Sequence, residues 1–205
     1  MRVAACFLVQ NADEYVERNV STLHGLISKV ARVVHLYAVE NDSKDTTIQV
    51  LRSLHSKGLV HNIDSLVLDG LHSTKLCRRP IDSYNCPARV KRLAFLRQRA
   101  IDAVQKNGTE YDYVVMMDLD FVHLPEAEFI DLFTYMNANP HVDGVFGLSV
   151  VSSCTPCVYD VLAMMPWSIC KVVLLSCHRH VKVTSAFSGV GVYRGASIRR
   201  RNPSY

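Results

Sequence analysis

The sequence predicts an α/β fold: a mixed, mostly parallel sheet with helices on both faces. Three observations carry this. Short apolar runs rich in β-branched residues alternate with longer segments of helical period, the pattern of strand–helix–strand units. The opening run "RVAACFLV" (2–9) is apolar throughout, as a strand buried on both faces requires. The run "YDYVVMM" (111–117) passes directly into two aspartates, Asp118 and Asp120, one residue apart. Ligands of parallel sheets bind outside the carboxyl ends of the strands, so polar residues there belong to one place.

The elements follow in order. After the first strand, Asp13 is placed to cap a helix in which Tyr15, Val16, Val20, Leu23, Leu26, Ile27 and Val30 recur at helical spacing. "VVHLYAV" (33–39) is a second strand, opening into the turn "ENDSKD", where Asp42 or Ser43 can cap the next helix, "TTIQVLRSLHSKG", stopped by Gly58. "IDSLVL" (63–68) is a third strand. The aperiodic stretch 71–87 is long for a connection and carries Lys75, Arg78 and Arg79, which suits a lid over an anionic ligand. The segment 88–108 is the clearest helix, with Leu93, Leu96, Ala100, Ile101 and Val104 as its core stripe and Gly108 beyond its end. A fourth strand (111–117), a short helix in "LPEAEFIDLFTYM", a strand near 142–150 and shorter strands and turns, including "VTSAFSGVGVYRG", complete the chain.

Composition excludes some classes. At 205 residues the chain suits one domain, able to bury about 70% of its unfolded surface. Apolar content of 49% and charged content of 20% argue against disorder. No run approaches the roughly 18 apolar residues of a membrane span, and the start "MRVAACFLVQ" is patterned as a strand rather than as a signal peptide. With seven scattered cysteines, this predicts a reducing, cytoplasmic setting. After Asp160 no acidic residue occurs, while Lys171, Arg179, Lys182, Arg194, Arg199, Arg200 and Arg201 follow, a bias suited to a phosphate-rich ligand. The end, "RGASIRRRNPSY", does not read as a finished element, as for the N-terminal domain of a longer polypeptide.

Asp118 and Asp120 would share one face of a continuing strand, about 7 Å apart. Carboxylates that close repel unless a cation or proton lies between them, and Mn²⁺ or Mg²⁺ takes such oxygens while keeping positions open for phosphates. An acidic strand end satisfied by backbone N–H groups is the plainer alternative. Glu40, Asn41 and Asp42 end the second strand, where they can accept hydrogen bonds from a base or ribose. On the long helix, counting back from 93, 96 and 100 puts Arg89 inward with Arg92 close by. Both lean toward the helix N-terminus and the same strand ends, and a guanidinium fork suits a diphosphate. Lys91 and Arg99 read as a solvated basic face.

These stretches together resemble one family, the nucleotide-sugar-dependent glycosyltransferases of the GT-A (Rossmann-like) fold. The resemblance lies in "LVQNADEYVERNVSTL", "YAVENDSKDTT", "RVKRLAFLRQRAIDAV", "YDYVVMMDLDF" in the place of the family's D-x-D, "VYDVLA" and "VTSAFSGVGVYR". The succession is similar to that of capsule-associated fungal mannosyltransferases and, more loosely, of the glycosyltransferase domain of chlorella viruses. It implies a donor site of Gln10, Asn11, Glu40, Asp42, Arg89, Arg92, Asp118, Leu119 and Asp120, with Asp118 and Asp120 on the metal. Ser185, Phe187, Ser188 and Gly189 resemble the acceptor-side turn, with Ser188 where a second glycine is frequent. The implied division is a nucleotide-binding half (1–120) and an acceptor-side half (121–205). An inverting enzyme needs a base, and Asp160 is the last carboxylate. Either Asp160 is that group, or the mechanism is retaining, or a downstream segment supplies the base. The partners implied are a nucleoside-diphosphate sugar and a glycan or other hydroxyl acceptor. A UDP-sugar such as UDP-glucose is favoured because an acidic group after the second strand suits uracil N3–H, with a GDP-sugar the alternative.

Two competing readings stand beside it. A nucleotidyltransferase also places metal carboxylates on such a sheet, but "LVQNADEY" lacks a glycine-rich phosphate loop. A zinc-stabilised nucleic-acid-binding module would use Cys154, Cys157, Cys170 and Cys177 with His178 or His180. Only one tight cysteine pair exists, and the basic stretch lacks interleaved aromatics.

Overall fold

The computed structural model describes residues 1–68, 87–119, 123–147 and 190–200, without the side chains of 87–90 and 200. Among the described residues six strands and five helices run in the order β1 (Arg2–Val9), α1 (Val16–Ser28), β2 (Val33–Asn41), α2 (Thr47–Ser56), β3 (Asn62–Leu66), α3 (Pro87–Lys106), β4 (Tyr113–Asp118), α4 (Glu126–Ala138), β5 (Gly144–Gly147), β6 (Val190–Arg194) and α5 (Gly195–Arg200). The sheet order is β3-β2-β1-β4-β6-β5. Strands β3, β2, β1 and β4 are parallel, and β6 pairs antiparallel with both β4 and β5, so the sheet is mixed and mostly parallel, as expected.

Side-chain alternation along β1 explains the continuous apolar run. Val3, Ala5, Phe7 and Val9 face the core built with α1, α2 and α4, while Ala4, Cys6 and Leu8 face the core built with α3. Each strand residue therefore lands in a dry layer whichever way it points. Fully burying a Leu or Phe contributes about 1.5–3 kcal/mol, and Phe7, Leu23, Leu36 and Leu51 are all 0% exposed. The predicted stripe of α3 is found: Leu96, Ala100 and Val104 are buried, with Leu93 and Ile101 packed beside them. On the other face Phe129 and Phe133 of α4 meet edge-on, and Tyr113 of β4 meets Phe133. Gly58 and Gly108 end α2 and α3 with φ of 77° and 72°, the left-handed stops the sequence signals.

Several expectations are corrected. Asp13 does not cap α1, whose N-cap is Tyr15 without a side-chain bond. Its carboxylate instead accepts from the backbone N–H and hydroxyl of Thr46, the N-cap of α2. Asp42 and Ser43 do not cap α2 either; Asp45 accepts from the N–H of Thr47. Strand β3 spans Asn62–Leu66, and β4 spans Tyr113–Asp118, so Asp118 is the last strand residue rather than the first beyond it. Gly195–Arg200, read as unfinished, forms α5. It can turn there because Gly195 lies against the strand start: a Cβ would stand 1.9 Å from the Tyr111 carbonyl oxygen. Among the described residues no helix is long and apolar enough to cross a membrane.

Candidate functional site

Parallel pairing aligns the strand ends that the sequence nominates. The register sets Asp118 beside Leu8, Glu40 beside Val9 and Ser65 beside Glu40. Gln10 and Asn11 just after β1, Glu40 to Asp42 at the end of β2, and Asp118 at the end of β4 thus share one end of the sheet.

The turns after β1 and β2 are stitched together. Asn11 adopts a left-handed φ of 48°, which asparagine tolerates better than most residues. Its N–H donates to Ser43 Oγ at 3.0 Å, and its side-chain oxygen accepts from the N–H of Lys44 at 2.8 Å. One residue on, the N–H of Ala12 donates to Thr47 Oγ1 at 2.7 Å. Burial works against the charge of Asp45, yet hydrogen bonds from Thr47 and from the N–H of Asp13 hold its carboxyl below the ordinary value. Gln10 remains exposed at the rim.

Two acids, Glu40 near the end of β2 and Asp42 just beyond it, brace this platform. Glu40 is 3% exposed and engages both oxygens: Oε1 accepts from the N–H of Ser43 at 2.8 Å and Oε2 from the hydroxyl of Ser65 at 2.5 Å. A buried carboxylate is tolerated because these donors replace its water. Asp42 has a φ of 51° and works as a hub. Its Oδ1 accepts from the N–H of Leu68 at 2.7 Å, and its Oδ2 from Asn41 at 3.1 Å and from Arg92 at 3.3 Å. Arg92 does reach the strand ends from α3, but its partner there is Asp42.

Asp118 points to the α3 face, where one terminal nitrogen of Arg97 lies 3.4 Å from each carboxylate oxygen. Leu119 turns the other way: its side chain is 1% exposed in the core, and its carbonyl accepts from the buried Asn19 amide at 2.7 Å. A contact of the Leu119 side chain with a ligand is therefore closed off, and Asn19 locks the backbone that follows Asp118. Arg99, expected to be solvated, grips Asp64 through Nε at 2.9 Å and Nη2 at 2.7 Å. Helix α3 so lays three arginines on three strand acids: Arg92 on Asp42, Arg97 on Asp118, Arg99 on Asp64.

Arg97 and Asn19 are the site residues that sequence reasoning missed. A signal existed for the first: Arg97 stands four residues after Leu93 and four before Ile101, inside the apolar row of α3, and an arginine there needs a partner. The Arg89 side chain, Asp120, Asp160, the turn Ser185, Phe187, Ser188 and Gly189, residues 71–86 of the lid segment, and the cysteines and histidines between 154 and 180 lie outside the described residues. Among the described residues no group of three metal-ligating side chains occurs.

No protein-family model matches the chain, and no curated protein does. Solved structures do. The chain is similar to crystal structures of S. aureus TarS residues 1–349, with a TM-score of 0.52, 12% identity and coverage of 98% of this chain and 49% of that one. The same protein in complex with UDP gives a TM-score of 0.50 at 12% identity, covering 98% and 48%. Its complex with UDP-GlcNAc gives 0.50 at 11% identity, covering 98% and 47%. The chain spans about half the length of that TarS fragment. At this identity the likeness speaks for architecture, and the architecture, with its mostly parallel six-stranded sheet between helices, is the GT-A fold.

Proposed function

We propose that this chain is a metal-dependent glycosyltransferase that moves a sugar from a nucleoside diphosphate, UDP favoured, to an acceptor hydroxyl of a glycan or other molecule. The observation that carries the reading is the placement of Asp118. A charged carboxylate ends a central strand, beside the laced turns of β1 and β2 and beneath the arginines of α3, on the GT-A fold. TarS, which shares that fold, is known bound to UDP and UDP-GlcNAc.

The residues suggest a division of labour. Glu40 and Asp42 hold the β2 turn, and through Ser43 and Asn11 the β1 turn, so the nucleoside would meet a platform whose geometry is set in advance. Gln10, exposed at its rim, is free to face the base or ribose. Asp118 fits a divalent ion: its side chain is 32% exposed, and a cationic nitrogen already stands equidistant from its two oxygens. Asp118 and Asp120 would hold Mn²⁺ or Mg²⁺, which when bound supplies Lewis-acid neutralisation of the departing diphosphate. Arg92 and Arg97 add fixed positive charge at the mouth, worth most where water is excluded. Residues 1–120 would serve the donor and 121–205 the acceptor, with Arg89 toward the phosphates, the turn of Ser185, Phe187, Ser188 and Gly189 on the acceptor side, and Asp160 as candidate base.

Calorimetric titration with UDP and Mn²⁺ tests the reading. Binding that requires the metal and is lost in an Asp118→Ala, Asp120→Ala variant supports it. Absence of binding to UDP and GDP alike, or binding indifferent to those two substitutions, overturns it.

A further inference from the structure

We propose that the cleft between α3 and the edge strand β3 is a binding site for a neutral saccharide. The inference goes beyond the donor-site reading, since the cleft opens near the amino ends of the strands and Asp118 takes no part in lining it.

Two local patterns build the cleft. Arg99, Asp102 and Lys106 recur three and four residues apart, so they share one face of α3. That face meets β3, the terminal strand of the sheet, through the pair of Arg99 with Asp64 at 2.7 Å. His61, just before β3, and Asn62, its first residue, close the other wall around about 390 Å³, a volume within the range of small-ligand sites. These walls are set in advance. The His61 ring stacks on His35 at 4.1 Å, and its Nε2 lies 3.0 Å from the Asn107 amide. A site held in shape before its ligand arrives loses less freedom on binding.

What the lining offers decides the ligand. Arg99 grips Asp64 through Oδ2 alone, leaving Oδ1 uncommitted among the described residues. Asp102 accepts from Gln98 on Oδ1 at 2.8 Å, leaving Oδ2. Asn62 and Lys106 are exposed and make no side-chain bond among the described residues. Two carboxylates thus stand against two cations, Arg99 and Lys106, so a phosphate or an ammonium would lose to one pair what it gains from the other. An apolar ligand would find only Ile63, Ala103 and the buried ring of Tyr37. Free acceptors beside free donors match a ligand whose every polar group does both. A hydroxyl is such a group, with one donor and two lone pairs. Neighbouring hydroxyls of one sugar ring can give their protons to Asp64 and Asp102 while accepting from Lys106 or the Asn62 amide. A peptide offers separate N–H and C=O groups, which suit the backbone edge of a strand better than these side chains.

The test is ¹H–¹⁵N correlation spectroscopy of the full chain titrated with D-glucose, D-galactose, D-mannose and N-acetyl-D-glucosamine. At least one sugar is expected to shift the amides of Asn62, Asp64 and Lys106 with millimolar affinity. Asp102→Ala should weaken that binding about tenfold and Asn62→Ala about fivefold, as expected for hydrogen bonds to a charged and to a neutral group. Both positions reach solvent, so either variant serves if the other does not fold. Asp118→Ala, at the far end of the sheet, should leave the sugar titration unchanged. No shift with any of the four sugars overturns the inference, as do shifts that survive both alanine variants or vanish in Asp118→Ala. Equal shifts at the same amides with inorganic phosphate or with triglycine overturn the assignment to a neutral saccharide. Failure of UDP to bind with Mn²⁺ would overturn the donor-site reading and leave this inference standing.

Discussion

The two ends of this sheet are built from opposite chemistry. At the carboxyl ends of the strands stand carboxylates, arginines and two left-handed polar residues, Asn11 and Asp42, held in ion pairs and turn bonds. At the amino ends lies a ring of aromatic, imidazole and amide partners. His35 stacks on His61 with centroids 4.1 Å apart and planes within 8°. The Tyr111 hydroxyl meets His35 Nδ1 at 2.5 Å, the Tyr37 hydroxyl at 2.8 Å and Asn107 Oδ1 at 3.2 Å, and Asn107 reaches His61 at 3.0 Å. Burial and the hydrogen bond to Tyr111 push the Tyr37 hydroxyl far above its ordinary value, so it stays neutral. Buried Cys6 is likewise pushed up by desolvation and is inert. Clefts of about 390 and 720 Å³ flank this lower end, and in the first Arg99 and Asp64 are paired with each other. One end is arranged to exchange partners; at the other, this ring closes on itself. The lesson is that a polar cluster signals ligand binding when its charges face solvent, and stability when its donors and acceptors close a ring.

The contrast can be broken at either end. The largest effect is expected at Asp118: Asp118→Asn should weaken Mn²⁺-dependent UDP binding by about 100-fold or more, since even outer-shell partners of metal ligands are worth about 10–100-fold; calorimetry reads it. Next comes Asn19→Ala, which strips the Leu119 carbonyl of a buried donor. A loss of about 2 kcal/mol in urea unfolding is expected, together with weaker metal binding, because the backbone beside Asp118 loosens. Tyr111→Phe should cost about 1 kcal/mol of stability and leave UDP binding unchanged. A loss of UDP binding in that variant would show that the two ends are not separable.

The smallest effect is on pH dependence. Burial, then the neighbouring His61, lowers the His35 pKa from its ordinary 6.5. The unfolded chain therefore takes up the proton first. Stability should be full above pH 6.5 and decline as the pH falls from there through the lower folded value. Equilibrium unfolding at several pH values, with His35→Gln for comparison, measures the slope; a slope surviving in that variant would assign it elsewhere.

Much of this was legible in one dimension because local rules and tertiary structure agreed. The run 2–9 is apolar at every position because both faces of β1 are covered, and the row Leu93, Leu96, Ala100, Val104 keeps the period of a helix that packs on one side. The departures share one cause, partners distant in sequence. Asp13 holds the N-cap residue of α2, thirty-odd residues on, instead of capping α1, because parallel pairing of β1 and β2 brings the two turns side by side. Leu119 follows the alternation of β4 into the core, where a motif reading sees only the residue between two aspartates.

What the sequence determined by itself was the list of strand-end acids and helix arginines, together with the fold, because periodicity and turn residues are local. Which acid meets which arginine was decided only by the tertiary structure. The register of β4 against β1 and the phase of α3 across the sheet set Arg97, not Arg92, on Asp118, and register is a relation between segments that neither segment encodes alone.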